Sequence, residues 1–155
     1  MSGTGLAQRS VPLSRACSDV VHFHGHPMVR ATHPRTLEVT TDPHLTSRGD
    51  CIIGVGADKG ASGLSPSLKD LVVAKGSRVT VIIRVEGYTF SLRANGDPRL
   101  TLSHPQDIVV RTTNFPSDRT LALNSDLAAR DVPRDMVRLL RNEETVGSME
   151  ITAFA

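Results

Sequence analysis

Histidines cluster in the first third of the chain, where their spacing suits metal binding. Five of the six histidines lie between positions 22 and 44. His22, His24 and His26 alternate, so an extended strand would place their imidazoles on one face. Neutral imidazoles bind zinc and similar divalent ions, and His33 or Glu38 is a candidate for a further ligand. The alternative, which the flanking Gly and Pro favour, is that these histidines are structural or exposed.

His33 and His104 occupy equivalent positions in two similar stretches. Residues 25–34 and 96–105 share the pattern G-x-P-x-apolar-x-apolar-[S/T]-H-P at an offset of 104 − 33 = 71. In one hypothesis, each ring hydrogen-bonds the backbone of its own Pro-containing turn. In the other, the two stretches pair about a twofold axis and both rings face one cleft, which forms a shared site.

Acidic and basic side chains flank an apolar stretch in the first half. Lys59 is a candidate for binding a phosphate or carboxylate, and Asp58 or Asp50 for a base or ligand, provided that the strand end lies near His33. The alternative role of an acid between a strand and a helix is to cap a turn. In the second half, Leu127 stands where Lys59 stands in the first, so this chemistry would be confined to one half.

The similarity between the two halves continues beyond the histidines. Apolar residues just after the histidines match at the offset of 71, and those further along match at 126 − 58 = 68, the offset that relates Asp58 to Asp126. The matched pairs are Leu37/Ile108, Val39/Val110, Ile53/Leu121, Val55/Leu123, Leu68/Met136, Leu71/Leu139, Val72/Leu140, Val81/Met149 and Ile83/Ile151. Preserved order, with 71 − 68 = 3 residues lost from the second copy, predicts a tandem duplication.

Each half is predicted to contain three strands, a helix and a final strand. Alternation indicates a first strand that ends at the matched histidine and a return strand after the Pro-containing turn. A third, almost wholly apolar strand at 50–56 is predicted to be central in its sheet. Ser65 and Pro66 are typical of a helix start, and the second helix is predicted to open near residue 131. The final strands are predicted at 77–85 and 145–152.

These elements predict an α+β fold, mostly strands, in which two tandem β-β-β-α-β repeats with two helices are related by a pseudo-twofold axis. Barrel-like closure and two packed sheets fit the pattern equally well. Residues 1–18 are predicted to be a flexible leader. Residues 19–155 are predicted to be a single domain with repeats at about 22–88 and 89–155.

Composition and charge exclude several classes of protein. The chain has 155 residues, 39% of them apolar, which suits one globular domain. Its 18 basic and 16 acidic side chains leave a net charge of +2, too balanced to require nucleic acid. No apolar run reaches the roughly 20 residues of a membrane helix, so no membrane partner is expected. Two cysteines cannot build a disulfide framework, which favours the cytoplasm, and Cys51 is predicted to be a buried small hydrophobe rather than a nucleophile.

Several motifs in the chain resemble an archaeal family, domain of unknown function 371. They are Gly25-His26-Pro27, Ala31-Thr32-His33, Thr36-Leu37-Glu38, Arg48-Gly49-Asp50-Cys51-Ile52-Ile53-Gly54-Val55, Ala57-Asp58-Lys59, Leu100-Thr101-Leu102-Ser103-His104-Pro105 and Arg119-Thr120-Leu121. The resemblance covers roughly residues 23–142. It implies an archaeal, cytoplasmic protein and brings no activity, cofactor or catalytic residue.

Three functions are compatible with these patterns. The first is a small-ligand or metal-binding protein or an enzyme, with a divalent metal or an anion in a site between the two repeats. The second is a module that binds RNA or a ribonucleoprotein through an arginine-rich face. The third is an assembly protein without chemistry of its own, acting as a homo-oligomer.

Overall fold

A computed structural model describes residues 15–155 as eight strands and two short α-helices. The first half contains β1 (Ala16–His24), β2 (Thr36–Thr40), β3 (Ile52–Gly54), α1 (Pro66–Val72) and β4 (Arg78–Val85). The second half contains β5 (Tyr88–Asn95), β6 (Asp107–Arg111), β7 (Thr120–Ala122), α2 (Arg134–Leu140) and β8 (Val146–Phe154). A single turn of 3-10 helix precedes each α-helix, at Ala61–Gly63 and Ala129–Asp131.

The strands form two four-stranded sheets. The long sheet has the order β1-β8-β4-β5 and is antiparallel throughout. The second sheet has the order β3-β2-β6-β7, with an antiparallel pair in the middle and a parallel strand on each side. We call it the seam sheet, because its middle pair joins the two halves of the chain. The α+β class, dominated by strands and with two helices, is therefore confirmed.

Both sheets are symmetric in their strand order, and the hydrogen bonds repeat between halves. His24 and Val55 exchange two backbone hydrogen bonds of 2.8 Å, and so do Asn95 and Leu123. The residue offsets are 95 − 24 = 71 and 123 − 55 = 68, the same offsets that relate the two halves of the sequence. A pseudo-twofold axis thus relates β1 to β5, β2 to β6, β3 to β7, α1 to α2 and β4 to β8.

The first strand of each half differs from the prediction. Residues 29–33 are not a strand, because Ala31 has a φ of +50°, and its counterpart Leu102 has a φ of +49°. The sequence alternates here as a strand would, because Val29 and Ala31 are buried, but they do not pair with a neighbouring strand. The true first strands are β1 and β5, so Ala16 to Ser18 of the predicted leader lie in a strand. Residues 1–14 of that leader lie outside the described part of the chain.

The third strand also differs from the prediction, since β3 lies at an edge of the seam sheet. The residues of β3 are apolar for a reason other than a central position in the sheet. Val55, just after β3, forms an isolated bridge with His24 of β1, so the segment is enclosed between the two sheets. Ile53 is fully buried as a result.

The helix start in the first half is confirmed. Ser65 caps α1 by accepting a hydrogen bond from the backbone N–H of Leu68 at 3.3 Å, and Pro66 is the first helical residue. The chain leaves the helix through Gly76, whose φ is +76°. In the second half, the helix is predicted to open near residue 131. The structure has a 3-10 turn at Ala129–Asp131 there, and α2 begins at Arg134.

The hydrophobic core lies between the two sheets and is closed by the helices. Val79, Val81, Ile83 and Val85 alternate along β4 and are fully buried, as the sequence pattern predicts. Leu68 and Val72 of α1 pack into the same core. Neither helix in the described part of the chain has the length and apolar character needed to cross a membrane.

Candidate functional site

The outer face of the seam sheet carries polar side chains that are largely shielded from solvent. Leu37 and Val39 of β2 point into the core, so Glu38 between them faces the other way. The same alternation in β6 sends Asp107, Val109 and Arg111 to that outer face. Glu38 is nevertheless only 8% exposed.

A single row of four side chains crosses this face. Glu38 pairs directly with Val109 across β2 and β6. On one side the Glu38 backbone N–H donates to the carbonyl of Cys51 at 2.9 Å, and on the other the Val109 N–H donates to the carbonyl of Arg119 at 2.9 Å. The offsets 109 − 38 = 71 and 119 − 51 = 68 make these four residues two equivalent pairs. The pseudo-twofold axis passes between Glu38 and Val109.

The Glu38 carboxyl group lies in an unfavourable environment for a charge. Burial, and then the negative charge of Asp107, raise the pKa of Glu38 to about 7. The guanidinium of Arg119 lies 3.0 Å from the Asp107 carboxylate, and its positive charge offsets part of this rise in the pKa of Glu38. Glu38 therefore holds or releases a proton near neutral pH, which is the range in which a general acid or base works.

The Cys51 thiol contacts the same carboxyl group. Its Sγ lies 3.5 Å from Oε1 of Glu38 and donates a hydrogen bond to it. Burial and the neighbouring Glu38 raise the pKa of Cys51 to about 12. The thiol therefore stays protonated at neutral pH and acts as a hydrogen-bond donor rather than a nucleophile.

Arg111 borders the other end of the polar face. Its Nε donates to the Thr120 hydroxyl at 2.9 Å and its Nη2 to the Ser117 hydroxyl at 3.3 Å. The guanidinium also lies over the ring of Phe115, 5.0 Å from the ring centroid. Burial, and then the charge of Arg119, lower the pKa of Arg111. We call Glu38, Cys51, Asp107, Arg111 and Arg119 the seam cluster.

The structure places His33 and His104 in their turns, as the first of the two hypotheses proposes. Nδ1 of His33 accepts hydrogen bonds from the backbone N–H groups of Arg35 and Thr36 at 3.0 and 3.1 Å. Nδ1 of His104 does the same for Gln106 and Asp107 at 3.2 and 2.8 Å.

The two rings are not brought together. β2 and β6 are antiparallel, and Thr36 pairs with Arg111 while Thr40 pairs with Asp107. The two histidine turns therefore lie at opposite ends of the strand pair, separated by roughly 13 Å along it. His104 contacts the seam cluster directly, with Nε2 3.9 Å from the Asp107 carboxylate, whereas the His33 ring contacts the Thr36 hydroxyl at 2.9 Å.

Asp50, Asp58 and Lys59 each interact with a different partner and do not form a common site. Lys59 pairs with Asp19 at 2.8 Å. Asp58 accepts a hydrogen bond from the backbone N–H of His22 at 3.0 Å, and its counterpart Asp126 accepts one from Arg93 at 2.9 Å. The Asp50 carbonyl accepts from the backbone N–H of His33 at 3.1 Å, so Asp50 positions that turn.

The three alternating histidines do not converge. His22 and His24 lie on the exposed face of β1, and His22 is 3.4 Å from Asp58. His26 lies beyond the strand end, where its Nδ1 accepts from the backbone N–H of Met28 at 3.0 Å. Across residues 15–155, no three His, Cys, Asp or Glu side chains are grouped so as to hold a metal ion.

The sequence pattern alone does not identify Asp107, Arg111 and Arg119 as residues of this site. Asp107 and Arg111 alternate with buried Ile108 and Val110, so their common outward face was available from the sequence. The missing information was that β2 and β6 pair with each other, which brings Glu38 among them. The sequence pattern predicts Glu38 only as an additional metal ligand.

The fold and the seam cluster define an α+β protein of two similar halves with an asymmetric ionisable site on the axis between them. Comparison with known families agrees with the resemblance found in the sequence motifs. Residues 21–153 match the family model described as Domain of unknown function (DUF371), and the chain belongs to this family. An uncharacterised protein of Methanocaldococcus jannaschii is 37% identical over 122 residues, which covers 79% of this chain and 90% of that protein.

Proposed function

We propose that the protein binds a small polar molecule at the seam cluster and that Glu38 exchanges a proton with it. The observation that carries this proposal is the Glu38 carboxyl group, 8% exposed and facing Asp107, with a pKa raised to about 7. A buried acid beside another acid costs stability. Groups with perturbed pKa values concentrate at functional sites.

The chemistry of the ligand follows from the cluster's charges. Arg119 is 41% exposed and Arg111 is half-buried, so guanidinium groups form part of the solvent-accessible surface of the cluster. Guanidinium groups recognise carboxylates and phosphates. The ligand we propose carries one such anionic group and, next to it, an atom that donates a proton to Glu38 or accepts one from it.

The proposal also includes the cellular compartment of the protein. Cys17 and Cys51 are both free thiols, and Cys51 contributes to the site as a thiol. Reduced cysteines are typical of the cytoplasm, so we place the protein there.

Thermal unfolding in the presence of small carboxylates and phosphate monoesters tests the proposal. A ligand at one hundred times its Kd stabilises the folded state by about 2.7 kcal/mol, which is an easily measured shift in Tm. We expect at least one compound to shift the Tm of the wild type. The Arg119→Gln variant should lose this shift, and the Glu38→Gln variant should lose the pH dependence of the shift between about pH 6 and pH 8.

Arg84→Gln is the matched control, because Arg84 lies on the long sheet and pairs there with Glu150 at 2.8 Å. This variant should keep the full shift. The proposal fails if no compound shifts the wild type, or if Arg119→Gln and Arg84→Gln respond alike.

A further inference from the structure

A groove crosses one end of the exposed face of the long sheet, away from the seam cluster. It contains a cavity of about 350 Å³ lined by Arg78, Thr80, Arg93, Asn95, Asn124 and Phe154, among others. A cavity of this size lies within the range of ligand sites. We call these six residues the arginine groove.

The strand register explains how the arginine groove is assembled. Phe154 of β8 pairs with Arg78 of β4, and Arg78 pairs with Asn95 of β5. In the next row Thr80 pairs with Arg93. Residues two apart on a strand share a face, so the two guanidinium groups lie on the same side of the sheet.

The arginine groove carries positive charge without partners among the described residues. Neither Arg78 nor Arg93 has a carboxylate within 4.0 Å in the described chain. Two acids line the adjoining cavities, and neither carboxylate pairs with these arginines: Asp97 pairs with Arg99 at 2.9 Å, and Asp126 accepts the backbone N–H of Arg93 at 2.9 Å. Two exposed guanidinium groups therefore remain available to phosphates.

The groove also offers an aromatic surface and polar groups. Phe154 is 40% exposed. An exposed aromatic face stacks on any nucleic-acid base. The side-chain amides of Asn95 and Asn124 each supply both donors and acceptors for base edges. The hydroxyl of Thr80 is a partner for a ribose 2′-hydroxyl.

The open length of the groove favours a chain over a single nucleotide. A second cavity of about 470 Å³ shares Thr80 and Arg93 with the first and extends along the sheet to Ile82 and Ser91. A third of about 360 Å³ shares Arg78, Asn95 and Asn124 and extends past the other end. Ligand space therefore continues beyond both ends of the first cavity.

From these observations we infer that the arginine groove binds single-stranded RNA. Arg78 and Arg93 contact successive phosphates, and Phe154, on the strand next to Arg78, stacks on a neighbouring base. This site is on the opposite sheet from the seam cluster and stands independently of the function proposed there.

Fluorescence anisotropy with a labelled single-stranded oligouridine tests the inference. The Arg78→Gln/Arg93→Gln variant should bind roughly tenfold more weakly or worse, and its slope of log K against log salt should fall by about 1.4, the value for two phosphate contacts on a single strand. Phe154→Leu keeps an apolar side chain but removes stacking, and should weaken binding roughly tenfold. DNA of the same sequence, which lacks the 2′-hydroxyl, should bind more weakly than RNA.

Arg84→Gln is again the matched control, because Arg84 is exposed on the same face of the same sheet but lies outside the groove and pairs with Glu150. It should bind RNA like the wild type, and thermal unfolding should show that all variants remain folded. The inference is overturned if wild type does not bind, if Arg84→Gln weakens binding as much as the double variant, or if DNA or uridine monophosphate competes as well as the RNA.

Discussion

The two halves of the molecule share a backbone but differ in chemistry, and the row across the seam sheet shows this most directly. The first half contributes a carboxyl group and a thiol, at Glu38 and Cys51. The second half contributes an isopropyl group and a guanidinium at the equivalent positions, Val109 and Arg119. A symmetric scaffold therefore holds one asymmetric site on its axis rather than two copies of a site.

The two halves also differ at a packing site away from the seam. The ring of Phe23 fills space that Gly54 and Gly147 leave open, since a Cβ on either glycine would collide with it. The symmetry-related site has Ala94 and Ala122 of the second half and Val79 of the first, at offsets of 94 − 23 = 71, 122 − 54 = 68 and 147 − 79 = 68. One large residue with two glycines thus replaces three residues of moderate size.

The largest expected effect comes from breaking this compensation. Phe23→Ala should reduce the free energy of unfolding by ~3–5 kcal/mol, because it empties a fully buried site. Gly147→Val alone should cost ~1–3 kcal/mol through overpacking against the ring.

Combining Phe23→Ala with Gly54→Ala and Gly147→Val copies the symmetry-related arrangement of Ala94, Ala122 and Val79, and should recover part of the loss. Urea unfolding of the single and triple variants measures this coupling. If the losses in unfolding free energy of the single variants simply add in the triple variant, the three positions do not compensate one another.

The next effect concerns Glu38 and pH. Because the pKa of Glu38 rises from its ordinary 4.5 to about 7 on folding, the folded state keeps a proton that the unfolded state releases between these values. The protein therefore loses stability as pH rises from about 4.5 to about 7, by roughly 3 kcal/mol, and the loss stays constant at higher pH.

Glu38→Gln should remove this loss, so its stability relative to wild type should increase with pH over the same interval. Urea unfolding at a series of pH values measures the difference. Glu150→Gln, on the exposed face of the long sheet, is the control. If it shows the same pH profile as Glu38→Gln, the effect does not come from the seam.

A smaller effect is expected at the Asp19–Lys59 pair, whose counterparts in the second half are Phe90 and Leu127, at 90 − 19 = 71 and 127 − 59 = 68. Burial raises the pKa of Asp19, but hydrogen bonds from Lys59 and the Ser65 N–H outweigh it and leave the pKa below its usual value. The pair therefore contributes stability above the unfolded-state pKa of Asp19, and this is lost as pH falls through the folded-state value.

Lys59→Met should cost roughly 1–2 kcal/mol at neutral pH, because the Asp19 carboxylate loses its cation. The double variant Asp19→Phe/Lys59→Leu adopts the apolar pair of the second half, and should unfold within about 1 kcal/mol of wild type. Thermal and urea unfolding at neutral and acidic pH compare the three proteins. A double variant less stable than Lys59→Met would contradict the equivalence.

The smallest effect should be the same in both halves. Removing the turn-capping acceptor by His33→Ala or His104→Ala should each cost about 1 kcal/mol. His33→Asn and His104→Asn retain a side-chain acceptor for the backbone N–H groups and should cost less. Urea unfolding of the four variants makes the comparison. A much larger loss in only one half would indicate a role for that histidine beyond its turn.

Local sequence patterns predicted much of the fold. The capping of α1 by Ser65 and the buried face of β4 depend on residues within a few positions of one another, so local spacing was sufficient. The strand predicted at 29–33 failed because burial alternates there without pairing, and a single positive φ at Ala31 is not visible in an alternating pattern. β3 was misplaced because an apolar strand enclosed between two sheets resembles a central one.

By itself, the sequence determined the similarity of the two halves, their helices and final strands, and the outward faces of β2 and β6, because the periods of strands and helices are local properties of the chain. Tertiary structure decided which strands became neighbours, and with that the meeting of Glu38 with Asp107 and the separation of His33 from His104. Strand pairing joins residues about seventy positions apart, and a pattern with a period of two gives the face of each strand but neither its partner nor its register.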